Sequence, residues 1–143
     1  MDVSMPKVII RTDKAPKAIG PYSQAVKVDE GTLIYTAGQI SIDPKTNDLI
    51  SGGVGRETRQ VLENLKSVLE AAGSGLDKVI KTTVFLSSMD DFAVMNEVYE
   101  QYFKKNPPAR TTVEASRLPK GVRLEIEAVA YVEEETGKGE QGV

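Results

Sequence analysis

Two periods of hydrophobic positions divide the chain into helices and strands. Between Val54 and Ala72, the residues Val54, Thr58, Val61, Leu62, Leu65, Val68, Leu69 and Ala72 recur every three or four positions. Arg56, Glu57, Arg59, Glu63, Asn64, Lys66 and Glu70 fall mostly away from that stripe. This spacing predicts an amphipathic helix, with Gly73 and Gly75 as its C-terminal stop. A second helix is predicted from Asp90 or Asp91 to Phe103, with Phe92, Met95, Val98, Tyr99, Tyr102 and Phe103 on its core stripe. Acidic residues occupy its first turn, where the helix dipole favours them. Short apolar runs predict strands at Lys7 to Arg11, about Ser23 to Val28, Leu33 to Ile40 and Val79 to Leu86. The polar stretch Asp43 to Asp48 reads as a turn.

The segment Pro107 to Tyr131 reads as two strands joined by a Pro/Gly turn at Pro119 to Gly121. On the first strand Thr111, Val113 and Ala115 alternate with Arg110, Thr112, Glu114 and Ser116. On the second, Leu124, Ile126, Ala128 and Ala130 alternate with Arg123, Glu125 and Glu127. Period-two alternation puts the sets on opposite faces of a sheet. The reading is one core face and one polar face that gathers Arg110, Thr112, Glu114, Glu125 and Glu127. Two prolines stiffen the approach to Arg110. A carboxylate at Glu125 or Glu127, in a strand otherwise built of Leu, Ile, Val and Ala, wants a partner.

The element order is therefore β(β)βαβαββ. A β-α-β-α run needs crossover connections, so the fold class is α+β with a mixed sheet and two helices packed on one face. The opposite face has no cover within the chain, which predicts a homo-oligomer. Residues 1–132 form one domain, and 133–143, polar and glycine-rich, are expected to be a disordered tail.

Composition narrows the chemistry. The chain of 143 residues has no cysteine and no histidine. Thiolate catalysis, an imidazole base and a His-ligated transition metal are thereby excluded. Net charge is −3, with a pI near 5.1, so no basic footprint for nucleic acid is present. No apolar run approaches the length of a membrane span, and the N-terminal residues lack a signal peptide's apolar core. A cytoplasmic protein is expected, with a mitochondrial location also compatible.

What remains for a site is Arg110 as a bidentate reader of carboxylates, Glu125 to orient water, and Tyr22 on a rigid Gly20-Pro21 loop. Asn96 lies on the second helix. Gly38 sits inside a strand, where glycine is costly unless a bulge or close approach is wanted. These residues support a site for a small carboxylate, without metal or covalent nucleophile.

The segments AIGPYSQAV (Ala18 to Val26), YTAGQISIDPKT (Tyr35 to Thr46), VIKTTVFLSSMDDFAVMNEVYEQYF (Val79 to Phe103) and PARTTVEASRLPKGVRLEIEAVAY (Pro108 to Tyr131) closely resemble the reactive-intermediate deaminase family, RidA, formerly YjgF. The resemblance runs from about Ala15 to Tyr131. It implies a chorismate-mutase-like fold and a homotrimer with active sites between subunits. It also implies hydrolysis of 2-aminoacrylate, its tautomer 2-iminopropanoate, and 2-iminobutanoate to 2-oxo acids and ammonia, without a cofactor. Arg110 then matches the arginine that grips the substrate carboxylate, Glu125 the glutamate that positions water, and Tyr22 the tyrosine lining the cleft. Asn96 and Gly38 match further pocket positions. Thr112 stands where several members carry cysteine, and Ala37 where some carry serine. A non-enzymatic role, as a trimeric carboxylate-binding or chaperone-like protein or a translation inhibitor, is the alternative reading.

Overall fold

The computed structural model describes residues 6–133. The tail expected to be disordered therefore lies, apart from Glu133, outside the described residues. The elements in order are β1 (Lys7–Ile10), β2 (Ala25–Val28), β3 (Thr32–Tyr35), β4 (Ile42–Asp43), β5 (Asp48–Leu49), α1 (Val54–Ala71), β6 (Val79–Leu86), α2 (Phe92–Tyr102), β7 (Ala109–Glu114) and β8 (Leu124–Val132).

The main sheet has the order β3-β8-β6-β7. β8 runs antiparallel to β3 and β6, and β7 runs parallel to β6. β1 and β2 form a hairpin of their own, and Ser23 just before β2 bridges Ala109 at the start of β7. The predicted turn from Asp43 to Asp48 is closed by the short β4–β5 pair, with Asn47 at φ 65°, a conformation asparagine tolerates better than most residues.

Both helices cover one side of the sheet. α1 buries Val61, Leu62, Leu65 and Leu69, and α2 buries Met95 and Tyr99, against Val84, Leu86, Leu124, Ile126 and Ala128. The other side is uncovered and carries exposed Leu33, Tyr35 and Val113. Glu57 in the first turn of α1 is buried and pairs with Arg123 at 2.6 Å, which fastens the turn before β8 to the helix. No helix among the described residues is long and apolar enough to cross a membrane.

Two features of the last strands differ from the pattern-based reading. β7 and β8 are not neighbours, because β6 lies between them. Parallel β6 and β7 need a crossover, which α2 supplies, and the 119–121 turn then carries the chain past β6.

The faces of β7 are also reversed. Arg110 is in register with Thr82 and Thr112 with Val84, and both partners are fully buried beneath the helices. Arg110, Thr112 and Glu114 therefore point to the helix side, and Thr111 and Val113 to the open side, where Val113 is 40% exposed. Alternation separates two faces without saying which is covered. At this edge strand, polar groups on α2 and in the 88–89 turn receive the polar row. Met89 N–H donates to Glu114 Oε1 at 2.8 Å, and Asn96 meets Arg110.

Candidate active site

Arg110 is placed by two segments far apart in sequence. Ser23, buried, donates from its hydroxyl to Pro107 O at 2.6 Å and from its N–H to Pro108 O at 3.1 Å. The loop ending at Ser23 is thereby stitched to the strand that begins with Ala109-Arg110. A tight turn, Tyr22 N–H to Gly20 O at 2.8 Å, aims the Tyr22 ring inward. Its hydroxyl accepts from Ile19 N–H at 3.2 Å.

The guanidinium of Arg110 lies among three rings. Its central carbon is 4.8 Å from the ring centre of Tyr99, 5.5 Å from Tyr22 and 5.6 Å from Phe92. Each is within cation–π range. Nη1 donates to Asn96 Oδ1 at 2.7 Å. Phe92, Asn96 and Tyr99 are spaced i, i+4, i+7 on α2, so one helix face presents all three. Tyr99 is fully buried and shares a 2.7 Å hydrogen bond with Thr82. Burial pushes its phenol up to about 12, against the opposing pulls of Thr82 and Arg110.

Partial burial also lowers the Arg110 pKa, with Tyr99 and Tyr22 acting in the other direction. An arginine remains charged despite such a shift. Among the described residues no carboxylate pairs with this guanidinium. Asn96 occupies one donor, and the others remain for an anion. Beside it on the same row, the Thr112 hydroxyl is buried with no hydrogen-bond partner among the described residues.

Glu125 belongs to a second constellation. Tyr35 pairs with Val129 and Gln39 with Ile126, so residues 36–38 oppose only 127 and 128. This is a one-residue bulge, which bends the strand and frees it from the ladder. Thr36 holds it: its N–H donates to Ala128 O at 2.9 Å and its hydroxyl accepts from Ala128 N–H at 3.0 Å. Within the bulge, a Cβ on Gly38 would sit 2.7 Å from Glu125 Cδ and 2.8 Å from Cγ, and would collide with Oε2. Gly38 is the residue whose missing side chain lets the Glu125 carboxylate lie across the strand, as its place inside a predicted strand suggested.

Glu125 pairs in register with Phe85, and Phe85 with Val113, on the open face. The predicted site residues thus divide. Arg110, Asn96, Tyr22 and Thr112 come together beside α2, and Gly38 and Glu125 come together across the sheet. The expectation of one polar face holding Arg110 and Glu125 is corrected by the reversed face of β7. Glu127 points to the open side and is exposed, and Glu114 is spent on the start of the α2 segment. Separate cavities among the described residues reach the two halves. One of about 470 Å³ is walled by Gly20, Tyr22 and Pro107, and one of about 420 Å³ reaches Gly38. Phe92 and Tyr99 were assigned only to the core. Their spacing around Asn96 was the available signal for a role beside Arg110. Among the described residues no group of three or more carboxylates could hold a metal ion.

A mixed sheet covered on one side by two helices, the second of them the crossover between parallel β6 and β7, is the chorismate-mutase-like α+β architecture. Residues 12–132 match the Endoribonuclease L-PSP family. A RutC family protein of Pyrococcus horikoshii is 58% identical over 127 residues, covering 89% of this chain and 99% of the relative. The human 2-iminobutanoate/2-iminopropanoate deaminase is 53% identical over 127 residues, covering 89% and 91%. The crystal structure of Escherichia coli TdcF with bound serine superposes with a TM-score of 0.68 at 43% identity, covering 88% of this chain and 99% of that one. The chain belongs to the L-PSP family, also called YjgF/RidA.

Proposed function

We propose that the protein is a hydrolytic deaminase of small 2-imino acids and their enamine tautomers, working in the cytoplasm as a homotrimer with its active sites between subunits. The observation that carries this reading is the Arg110 guanidinium, half-buried, braced by Asn96 and three rings, and without a carboxylate partner among the described residues. It is built to take a carboxylate bidentately. The name of the human relative supports an imine as substrate. The serine bound to TdcF supports a small amino-acid-like ligand.

In this reading the substrate carboxylate docks on Arg110, with the Thr112 hydroxyl as a further contact and Tyr22, Asn96 and Gly38 shaping the cleft. Enamines first tautomerise by protonation at C3. The protonated imine carbon is already electrophilic, so positioning supplies much of the catalysis. Glu125 of a neighbouring copy orients a water and accepts its proton as the C–O bond forms at C2. The carbinolamine then collapses: Glu125 returns its proton to the nitrogen, the C–N bond breaks, ammonia leaves, and loss of the hydroxyl proton leaves the 2-oxo acid. No cofactor enters this sequence. Removal of such electrophiles is damage control for metabolism.

RNA cleavage, which the family's name carries, gains no support from a net charge of −3 and a chain without histidine. The test is a coupled assay in which a dehydratase acting on serine or threonine generates the imine and semicarbazide traps what persists. Less semicarbazone and faster 2-oxo acid release, both lost on Arg110→Ala, is the expected result. No effect on either substrate would overturn the deaminase reading in favour of carboxylate binding without turnover.

A further inference from the structure

Lys7 opens β1 and lines a cavity of about 230 Å³ beside the C-terminal end of α2. Lys104, Lys105, Asp77, Tyr102 and Leu76 share its wall. The polar groups around Lys7 are mostly committed elsewhere, and the Asp77 carboxylate acts on it only through its field, without an ion pair. Its ammonium donates to the backbone carbonyl of Asp77 at 3.3 Å. The Asp77 carboxylate stands instead 3.6 Å from Lys78, and the Tyr102 hydroxyl donates to Glu63 at 2.8 Å. None of the ion pairs among the described residues includes Lys7, Lys104 or Lys105. Lys7, Lys104 and Lys105 thus line one small cavity, and none of them is ion-paired with a carboxylate among the described residues.

Burial holds the Lys7 amine down at about 8, against the raising influence of Asp77. At neutral pH such an amine is unprotonated roughly two orders of magnitude more often than an ordinary lysine. Its lone pair is the nucleophile of this corner. The cavity suits a compact group, and the two neighbouring ammoniums suit one with negative charge.

We propose that Lys7 is an acylation site served by small acyl phosphates, with Lys104 and Lys105 receiving the phosphate group. The amine attacks the acyl carbon and an N–C bond forms. The C–O bond to phosphorus breaks, and inorganic phosphate departs with its electron pair. The nitrogen gives its proton to water, leaving an amide. No oxidant or reductant is involved. The site is separate from Arg110 and Glu125 and does not depend on the deaminase reading.

The full chain would be incubated with acetyl phosphate and the acetylation of each lysine followed by quantitative peptide mass spectrometry. Lys45 and Lys120, both exposed, are the internal references. Lys7 is expected to react at least about tenfold faster than either at pH 7.5. Its rate should level off above a pH of about 8, while theirs keep rising. Equal rates, or pH profiles of the same shape, would overturn the assignment. Lys104→Ala combined with Lys105→Ala should slow Lys7 severalfold toward acetyl phosphate but not toward uncharged p-nitrophenyl acetate. Equal slowing toward both donors would overturn phosphate recognition by those two residues.

Discussion

Arg110 and Glu125 stand on opposite faces of one sheet. Arg110 shares a row with Thr82 beneath the helices, and Glu125 shares one with Phe85 and Val113 on the open side. A small ligand cannot touch both side chains of the same chain. A site that uses both must take Arg110 from one copy and Glu125 from another. Such a contact joins two different surfaces, and repeated around an axis it closes into a ring. The exposed Leu33, Tyr35 and Val113 on the Glu125 side give that contact apolar area to bury.

Arg110→Lys is expected to be nearly as damaging as Arg110→Ala. Lysine keeps the charge but loses the planar fork that bonds Asn96 and a carboxylate together. A fall in kcat/KM of about 100-fold, from losing a bidentate charge-assisted contact of about 2–3 kcal/mol, is anticipated. Steady-state kinetics on the coupled assay, with sedimentation to confirm an unchanged assembly, makes the comparison. Activity close to wild type in Arg110→Lys would leave the guanidinium without its assigned role.

Gly38→Ala should strike the chemistry harder than the fold. The added methyl meets the flexible end of Glu125 rather than backbone, so the carboxylate can swing away. The expectation is a drop in kcat of at least about tenfold, as for a misplaced catalytic group, with Tm lowered by only a few degrees. Unchanged kcat would separate Gly38 from the positioning of Glu125.

Thr112→Val replaces a buried hydroxyl, without a partner among the described residues, by a methyl of similar size. Stability should hold or rise by up to about 1 kcal/mol, because an unsatisfied polar group is removed. KM should rise severalfold through loss of the ligand contact proposed for that hydroxyl. Melting curves and kinetics on one preparation read both effects, and an unchanged KM would remove Thr112 from the site.

Much of this arrangement was legible in the sequence, and the missing part has a definite cause. α1 and β6 lie where the 3.6-residue period and the apolar run placed them. Arg110, Asn96 and Tyr22, which only the family resemblance assigned to one pocket, lie side by side, and Gly38 makes the close approach that a glycine inside a strand suggests. The strand expected from Leu33 to Ile40 is regular only to Tyr35, because the bulge at 36–38 interrupts it. What alternation could not supply was the sense of β7. Thr111, Val113 and Ala115 look more apolar than Arg110 and Thr112, yet helix cover falls on the Arg110 side. The reason is tertiary: α2 brings Asn96 and two rings to the sheet edge, where a guanidinium can be half-buried. The Glu57–Arg123 pair was likewise invisible, since it joins residues 66 apart in sequence.

Lys7 should make stability depend on pH in a set direction. Its folded pKa, about 8, lies below the ordinary 10.5, so between those values the unfolded chain binds more protons. Stability attributable to this group therefore rises with pH across that window, and below about 8 the charged amine is a net cost. Lys7→Met should stabilise the protein at pH 7 by about 1 kcal/mol, a figure reduced for the group's partial exposure. The difference should shrink toward zero near pH 10. Urea titrations at the two pH values and one protein concentration decide it, and a gain independent of pH would contradict the linkage.

The most direct test of a site shared between copies mixes two inactive variants. Arg110→Ala and Glu125→Gln would each be purified, combined in equal amounts, unfolded and refolded together, and assayed for imine hydrolysis. In a ring, an Arg110-bearing face from one variant meets a Glu125-bearing face from the other at about a quarter of the interfaces under random assembly. Recovery of about a quarter of wild-type activity per site is the predicted result. If the mixture assembles but stays as inactive as its parents, Arg110 and Glu125 do not meet across subunits, and the shared site is wrong.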